Sequence, residues 1–510
     1  MVGTVASAFA QLLQFLGSNI VSVVLVVVTA LVSSYYVKRP RGAPPGPRGW
    51  PVLGSLFSLV GKHGGRYLKQ LGEQYGPIFS LYMGPQFTVV VNDVELAREA
   101  FLNQGEHTAA RPFHYVMQRY EADERGVMNG IGFSNGKLWK EHRKFALTKL
   151  REFGMGKVSI ENKIQEEASA CLAHLSNTKG EPLDPQALLS SCVLNVIASI
   201  IFGARYDYAD PAFLRLNNDI NAIFHDTDAQ GMLNFYPAMR HLPVFSRMLK
   251  KMDAAYVGLN KELQSNIGEH EEQAPEEEGD VRDYLDAYLL AQRQRAGTDS
   301  TFTTFQLLMS VRDLFLAGSH TVMTTLRWGL LFMLKYPHVL RRVQAEIDDV
   351  IGRGRLPCMA DQDSMPYTRA TIAEVQRVAD IVPLNLPHCT TAEIQLGGYV
   401  IPASTMIIAN LTAILNDPKH FPEPEKFRPE RHLDERGDFV QNEALIPFSI
   451  GRRVCPGEAL ARVELFIFFT GILQNFDIRL PDGVTDPSMD GNLGFVWMAN
   501  PYLLHCVARQ

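Results

Sequence analysis

The stretch Phe448-Ser-Ile-Gly451-Arg-Arg453-Val-Cys455-Pro-Gly457 runs straight into a helical pattern. From Glu458 onward, Ala459, Leu460, Val463 and Phe466 to Phe469 recur at helical spacing. Such a chain must hold a cysteine in a loop at the start of an apolar helix. Unsatisfied backbone N–H groups there create positive potential, which is expected to lower the thiol pKa and favour the anion. Gly451 and Gly457 let the backbone turn tightly and approach a flat ligand closely. A lone cysteine is more often an inert, buried small hydrophobe. This one sits where a soft anionic ligand could hold a metal, and haem iron with an axial cysteine is the leading candidate.

The other five cysteines of the six (Cys171, Cys192, Cys358, Cys389 and Cys506) are widely scattered, with no C-x-x-C pair. That spacing suits a reducing compartment and gives no zinc signature. With 510 residues, 46% hydrophobic and 20% charged, the chain has ample core. Its net charge of −6 argues against nucleic acid as the main partner.

No charged residue precedes Lys38, and Ile20 to Val37 is dominated by valine, leucine and alanine, with apolar character reaching back to Phe9. A signal peptide would carry a basic n-region and a transit peptide arginines on an amphipathic helix; neither is present. The reading is an uncleaved membrane anchor over 1–37. Lys38, Arg39 and Arg41 behind it place the rest of the chain in the cytoplasm. Pro44-Pro45-Gly46-Pro47, Pro51 and Gly54 make a stiff hinge over 38–54, leaving 55–510 as the catalytic unit.

The pattern predicts a β-hairpin over Pro77 to Val91, broken at Gly84-Pro85, then a short helix from Asp93, its N-cap, to Leu102. Arg111 to Gly132 lacks periodicity and reads as a long loop. In the helix expected over Asn135 to Leu150, Trp139 and Arg143 share one face and Lys137, Lys140 and Lys144 another. Residues 155 to 265 read as helices separated by turns at Pro182, Pro185, Pro211, Pro237 and Pro243. Asn234 to Val244 fits either a loop dipping into a membrane surface or a buried connection, and the acidic run from Glu271 to Asp280 an exposed loop. Phe305 to Lys335 is a long apolar helix interrupted by Ala317-Gly318-Ser319-His320-Thr321. The missing side chain of Gly318 would admit a flat cofactor or dioxygen, and Thr321 can donate a hydrogen bond or back-bond to the preceding turn. Glu374 and Arg377 meet on one helical face.

The decade around Cys455, Phe-x-x-Gly-x-Arg-x-Cys-x-Gly, resembles the haem-binding loop of the cytochrome P450 superfamily at every defined position. Further markers occur in that family's order. Ala317 to Thr321 resembles its oxygen-activating motif, with His320 where an acidic residue usually stands. Glu374-x-x-Arg377 with Phe427-Arg-Pro429-Glu430-Arg431 resembles its buried Glu–Arg–Arg network, with His432 where an aromatic commonly follows. The anchor and hinge resemble microsomal members, in the group that includes animal xenobiotic and steroid hydroxylases.

The resemblance implies a mainly α fold with small β-sheets behind an N-terminal transmembrane anchor. It implies haem b with Cys455 as the axial iron ligand, cradled by Phe448, Gly451 and Gly457. Trp139, Arg143, His388 and Arg453 would bind its propionates. Ala317, Gly318, His320 and Thr321 would form the oxygen-activating face. His320 would either relay protons or hydrogen-bond within the helix. Leu384 to Leu386 and Gly494-Phe495-Val496 would line the substrate pocket. The implied activity is insertion of one oxygen atom from O2 into a steroid, terpenoid, fatty acid or xenobiotic. Electrons would come from NADPH through NADPH–cytochrome P450 reductase, with cytochrome b5 as a further partner, at the cytoplasmic side of the endoplasmic reticulum membrane. The alternatives are a reductase-independent haem-thiolate isomerase or dehydratase, against which Thr321 and the basic helix argue, and a non-enzymatic membrane haem-binding protein.

Overall fold

The computed structural model describes residues 19–37, 39–50, 52–59, 63–154, 158–224, 227–295 and 300–509. Its spine is the Thr304–Lys335 helix, 32 residues long, or about 48 Å. Thr303 caps its start by accepting a hydrogen bond from the Gln306 N–H at 3.1 Å. From Val322 to Leu334 every residue is buried, which a helix tolerates only when neighbours cover it on all sides. Those neighbours include the helices Gln186–Ile201, Pro243–Glu272 and Glu458–Asn475. Phe466 and Phe468 from the last of these are fully buried, each contributing about 1.5–3 kcal/mol. Proline opens the helices at Pro211, Pro243, Pro337 and Pro366, where its missing N–H costs nothing.

The sheets are small. Strands β1 (Ile78–Met83) and β2 (Gln86–Val91) form the expected hairpin. β2 pairs in parallel with β6 (Met406–Ala409), and β6 pairs antiparallel with β3 (His388–Cys389). The register His388↔Ile407 fixes where His388 lies. Pairs β4 (Ile394–Leu396) with β5 (Tyr399–Ile401), β7 (Phe476–Arg479) with β10 (His505–Ala508), and β8 (Gly491–Leu493) with β9 (Trp497–Ala499) complete the strands. The mainly α expectation with small sheets therefore holds.

Several local expectations change. Arg111 to Gly132 contains a helix, Tyr115–Glu121, because Val116 turns inward onto the core. The proline run lies against the body: Ser80 donates to Pro45 O at 2.7 Å and to Pro44 O at 2.6 Å. In the Asn234 to Val244 segment, Phe235 and Tyr236 pack inward while Leu242 and Val244 are exposed. The acidic run is exposed, as expected.

Ile20–Val37 is a helix whose valines and leucines are exposed from Val21 to Val32. Its 18 residues rise about 27 Å, short of a bilayer core of about 30 Å. Among the described residues no helix is long and apolar enough to cross a membrane. The remainder of the expected anchor, residues 1–18, lies outside the described residues, as do Lys38 and Pro51.

Glu374 joins two elements. Arg377 donates to both its oxygens at 2.8 Å, Arg431 at 3.0 Å and the Arg428 N–H at 2.9 Å. His432, a departure from the family pattern, bonds it at 3.0 Å as a further partner. Burial alone would raise the Glu374 pKa, but the bonds from Arg377 and His432 reverse that and hold it at about 2. A folded-state value below the ordinary 4.5 stabilises the fold above that pH by about 3 kcal/mol, a contribution lost as pH falls toward 2. Glu374→Gln leaves buried guanidiniums uncompensated and should cost about 3–5 kcal/mol. Denaturant midpoints across pH 2–5 should show the wild type losing an acid-sensitive increment that the variant lacks.

Candidate functional site

Cys455 sits between a 3₁₀ turn at Gly451–Arg453 and the Glu458–Asn475 helix. The loop is closed by hydrogen bonds from Cys455 N to Phe448 O at 3.0 Å and from Val454 N to Gly451 O at 3.1 Å. Gly451 is required there: its φ is +83°, and a Cβ would lie 2.2 Å from Phe101 O. Gly457 is different, with φ −93° and a hypothetical Cβ meeting only the Cys455 Sγ, at 4.0 Å. The turn thus needs one of its two glycines. Phe448 is partly buried beneath the Arg462 guanidinium, 5.1 Å from its ring centroid.

The expected lowering of the Cys455 pKa is reversed. Burial pushes the thiol up, against opposing pulls from the Gly457 and Glu458 N–H groups and from Arg143. The helix terminus does act as expected, and Arg143 adds to it, but desolvation outweighs both.

Three guanidiniums converge beside this loop. Trp139 and Arg143 come from the Gly136–Glu152 helix, whose opposite face leaves Lys137, Lys140 and Lys144 exposed. Arg143 donates to Val454 O. Arg453 lies 3.7 Å over the Trp139 ring and donates to Ala109 O at 2.8 Å and Ser134 O at 2.6 Å. Arg111, which the sequence reading left inside a loop, donates to Leu386 O and Pro387 O at 2.9 Å. None of the three has a carboxylate partner among the described residues. Burial and the neighbouring cations push Arg111 down to about 9 and Arg453 to about 8. Asn135 stitches the cluster by accepting from the Arg111 N–H at 2.7 Å and from Arg453 at 3.2 Å. No signal in the sequence marks Arg111 or Asn135, because their roles follow from chain crossings.

His388 is buried, stacked 4.0 Å from Phe101 and donating through Nδ1 to Thr108 O at 2.8 Å. Burial, then Arg111 and Arg453, depress its pKa and keep it neutral. Asn385 ties the Pro383–Pro387 segment to the cysteine loop by donating to Ser449 Oγ at 2.8 Å. Leu384 packs on the apolar cluster near β1.

On the Thr304–Lys335 helix, Ala317 is exposed and Gly318 and Thr321 partly so, although the turn that follows is buried. Thr321 Oγ1 donates to Ala317 O at 2.8 Å. The space over Gly318 is taken by a neighbour: a Cβ there would lie 2.5 Å from Ile197 Cδ1. Gly318 therefore serves the close approach of the Gln186–Ile201 helix, where a cofactor or dioxygen was expected. His320, 1% exposed, stacks at 4.2 Å on Phe224, which meets Phe495 edge-on at 5.7 Å. His320 does not share the open face of Ala317 and Thr321.

The donor set fits haem. Buried cations lacking carboxylates suit a ligand with two carboxylates, and the Trp139 Nε1–H is buried without a partner. Cys455 supplies a thiol in a loop closed by backbone hydrogen bonds. The family model for cytochrome P450 matches residues 44–506. Cytochrome P450 2C11 of Rattus norvegicus is 41% identical over 455 residues, covering 88% of this chain and 89% of its own length. Cytochrome P450 2C5 of Oryctolagus cuniculus is 41% identical over 453 residues, with 88% and 91% covered. Cytochrome P450 2C28 of Mesocricetus auratus is 42% identical over 441 residues, with 86% and 88% covered.

The two loop glycines make a paired test. Gly451→Ala should lower stability by at least about 1–2 kcal/mol and impair haem retention, whereas Gly457→Ala should stay within about 1 kcal/mol. Thermal unfolding and the haem-to-protein absorbance ratio read both.

Proposed function

The chain belongs to the cytochrome P450 family and is a haem-thiolate monooxygenase, and from that premise we propose that it oxygenates a hydrophobic small molecule, by hydroxylation or epoxidation, with electrons passed from NADPH by NADPH–cytochrome P450 reductase. The observation that carries this reading is the trio of buried Arg111 and Arg453 and half-buried Arg143, without carboxylate partners among the described residues, against the Cys455 loop.

Haem bound through a thiolate supplies activation of molecular oxygen, one atom entering the substrate and the other leaving as water. Cys455 would ligate the iron, with Phe448 and Gly451 shaping the loop around it. Arg111, Arg143, Arg453 and the Trp139 N–H would hold the propionates, and His388, kept neutral, braces the same end from β3. Thr321, whose hydroxyl is already oriented by its bond to Ala317 O, holds and passes protons over the open face. Its neighbour His320 supports that helix through Phe224, with a relay role open to test. Phe224 and Phe495 present apolar surface beside this helix, in keeping with a steroid, terpenoid, fatty acid or xenobiotic substrate. The exposed lysines Lys137, Lys140 and Lys144 offer a cationic face to an acidic reductase or cytochrome b5.

The proposed organisation keeps residues 1–37 as a single anchor in the endoplasmic reticulum membrane, 38–54 as its connection and 55–510 as a cytoplasmic catalytic domain. The exposed valines of Ile20–Val37 support it, since such a surface is favourable in lipid.

Reduced, haem-loaded protein exposed to carbon monoxide should show the strongly red-shifted thiolate band, and Cys455→Ala should lack it. With reductase, NADPH and a tissue lipid extract, mass spectrometry should find a product heavier by one oxygen atom. Thr321→Ala should lower its formation by about 10²-fold while NADPH consumption continues. His320→Ala should change the pH profile of turnover if the imidazole relays protons, and only stability if it packs. Absence of the carbon monoxide band, or of any oxygenated product under full reconstitution, counts against the proposal.

A further inference from the structure

Away from the cysteine loop, a cleft of about 770 Å³ opens between the end of the Thr304–Lys335 helix, the Pro337–Val350 helix and the β7–β10 pair. Its volume is within the range of small-molecule sites, about 300–1,000 Å³. Pro337, Leu480 and Val507 supply apolar surface open to solvent, and Arg341, Arg353, Arg479 and Arg509 supply cations. Two carboxylates answer these four guanidiniums. Asp477 accepts from Arg479 at 2.6 Å, and Asp348 is shared by Arg509 at 2.6 Å and Arg353 at 3.6 Å. Arg341 is exposed and has no hydrogen-bond or ion-pair partner among the described residues. Gln344, also in the lining, is already committed to Leu473 O and Phe476 O at 3.2 Å.

We propose that this cleft binds an amphipathic carboxylate, with its aliphatic body on Pro337, Leu480 and Val507 and its charge on Arg341. The excess of guanidiniums over carboxylates selects an anion, and a guanidinium fork matches a carboxylate's two oxygens. The solvent-facing Pro337, Leu480 and Val507 select a ligand with hydrocarbon attached, because covering that surface releases water from it. The site is separate from the haem site: its lining shares no residue with the Cys455 loop, the arginine trio or the Ala317–Thr321 face.

The test uses full-length, haem-loaded protein with saturating imidazole, which keeps a carboxylate out of the haem pocket, and titration calorimetry with octanoate as the probe. The expected result is one saturable equivalent. Affinity should fall by about 10-fold or more in Arg341→Gln and further in Arg341→Glu, with unchanged thermal unfolding confirming that the variants fold. Octan-1-ol, which keeps the chain but not the charge, should bind about 10-fold or more weakly, and inorganic phosphate should not compete. The proposal is overturned by the absence of a saturable heat, by equal affinity in wild type and both variants, or by phosphate competing as well as octanoate.

Discussion

Arg111, Arg143 and Arg453 are three like charges brought together where water is scarce, and most of the site's architecture follows from that crowding. Arg111 and Arg453 are surrounded by backbone carbonyls, among them Ala109, Ser134, Leu386 and Pro387, and Arg143 reaches Val454 O. Those carbonyls come from separate parts of the chain, so the cations fix where the parts cross. Hydrogen bonds to carbonyl dipoles soften the cost of burial but do not cancel a net charge. The cluster therefore carries net positive charge beside the Cys455 loop, with Arg143 bonded to Val454 O next to the thiol.

The Glu374 network shows the contrasting case. There Arg377 and Arg431 meet a carboxylate within the protein, and His432 and a backbone N–H complete its bonds. Buried cations satisfied internally hold elements together. Buried cations left without an internal counter-charge await a ligand. The two clusters use the same residue type, and only their partners separate structure from binding.

The Thr304–Lys335 helix divides its duties residue by residue. Gly318 lets Ile197 approach, His320 leans on Phe224, and Ala317 with Thr321 forms the open face. A five-residue polar interruption thus mixes packing and chemistry at 100° steps around one axis. The thiol follows a similar compromise. Its loop aims N–H groups and Arg143 at sulfur, yet burial still raises the free thiol, so the anionic state depends on coordination to a metal as much as on the helix terminus.

The sequence by itself determined the local elements and the identity of the chemistry. Periodicity located the hairpin within Pro77 to Val91 and the long helix. The spacing around Cys455 named the ligand loop, and the i, i+3 spacing of Glu374 and Arg377 named their pairing, because each depends on residues close in the chain. Only the tertiary structure decided that Arg111 and Asn135 join the site, that His432 completes the Glu374 shell and that Gly318 serves a neighbouring helix. It also decided the sign of the Cys455 shift. Those outcomes depend on which distant segments cross and how deeply they bury one another, and neither periodicity nor spacing along one strand of sequence encodes that.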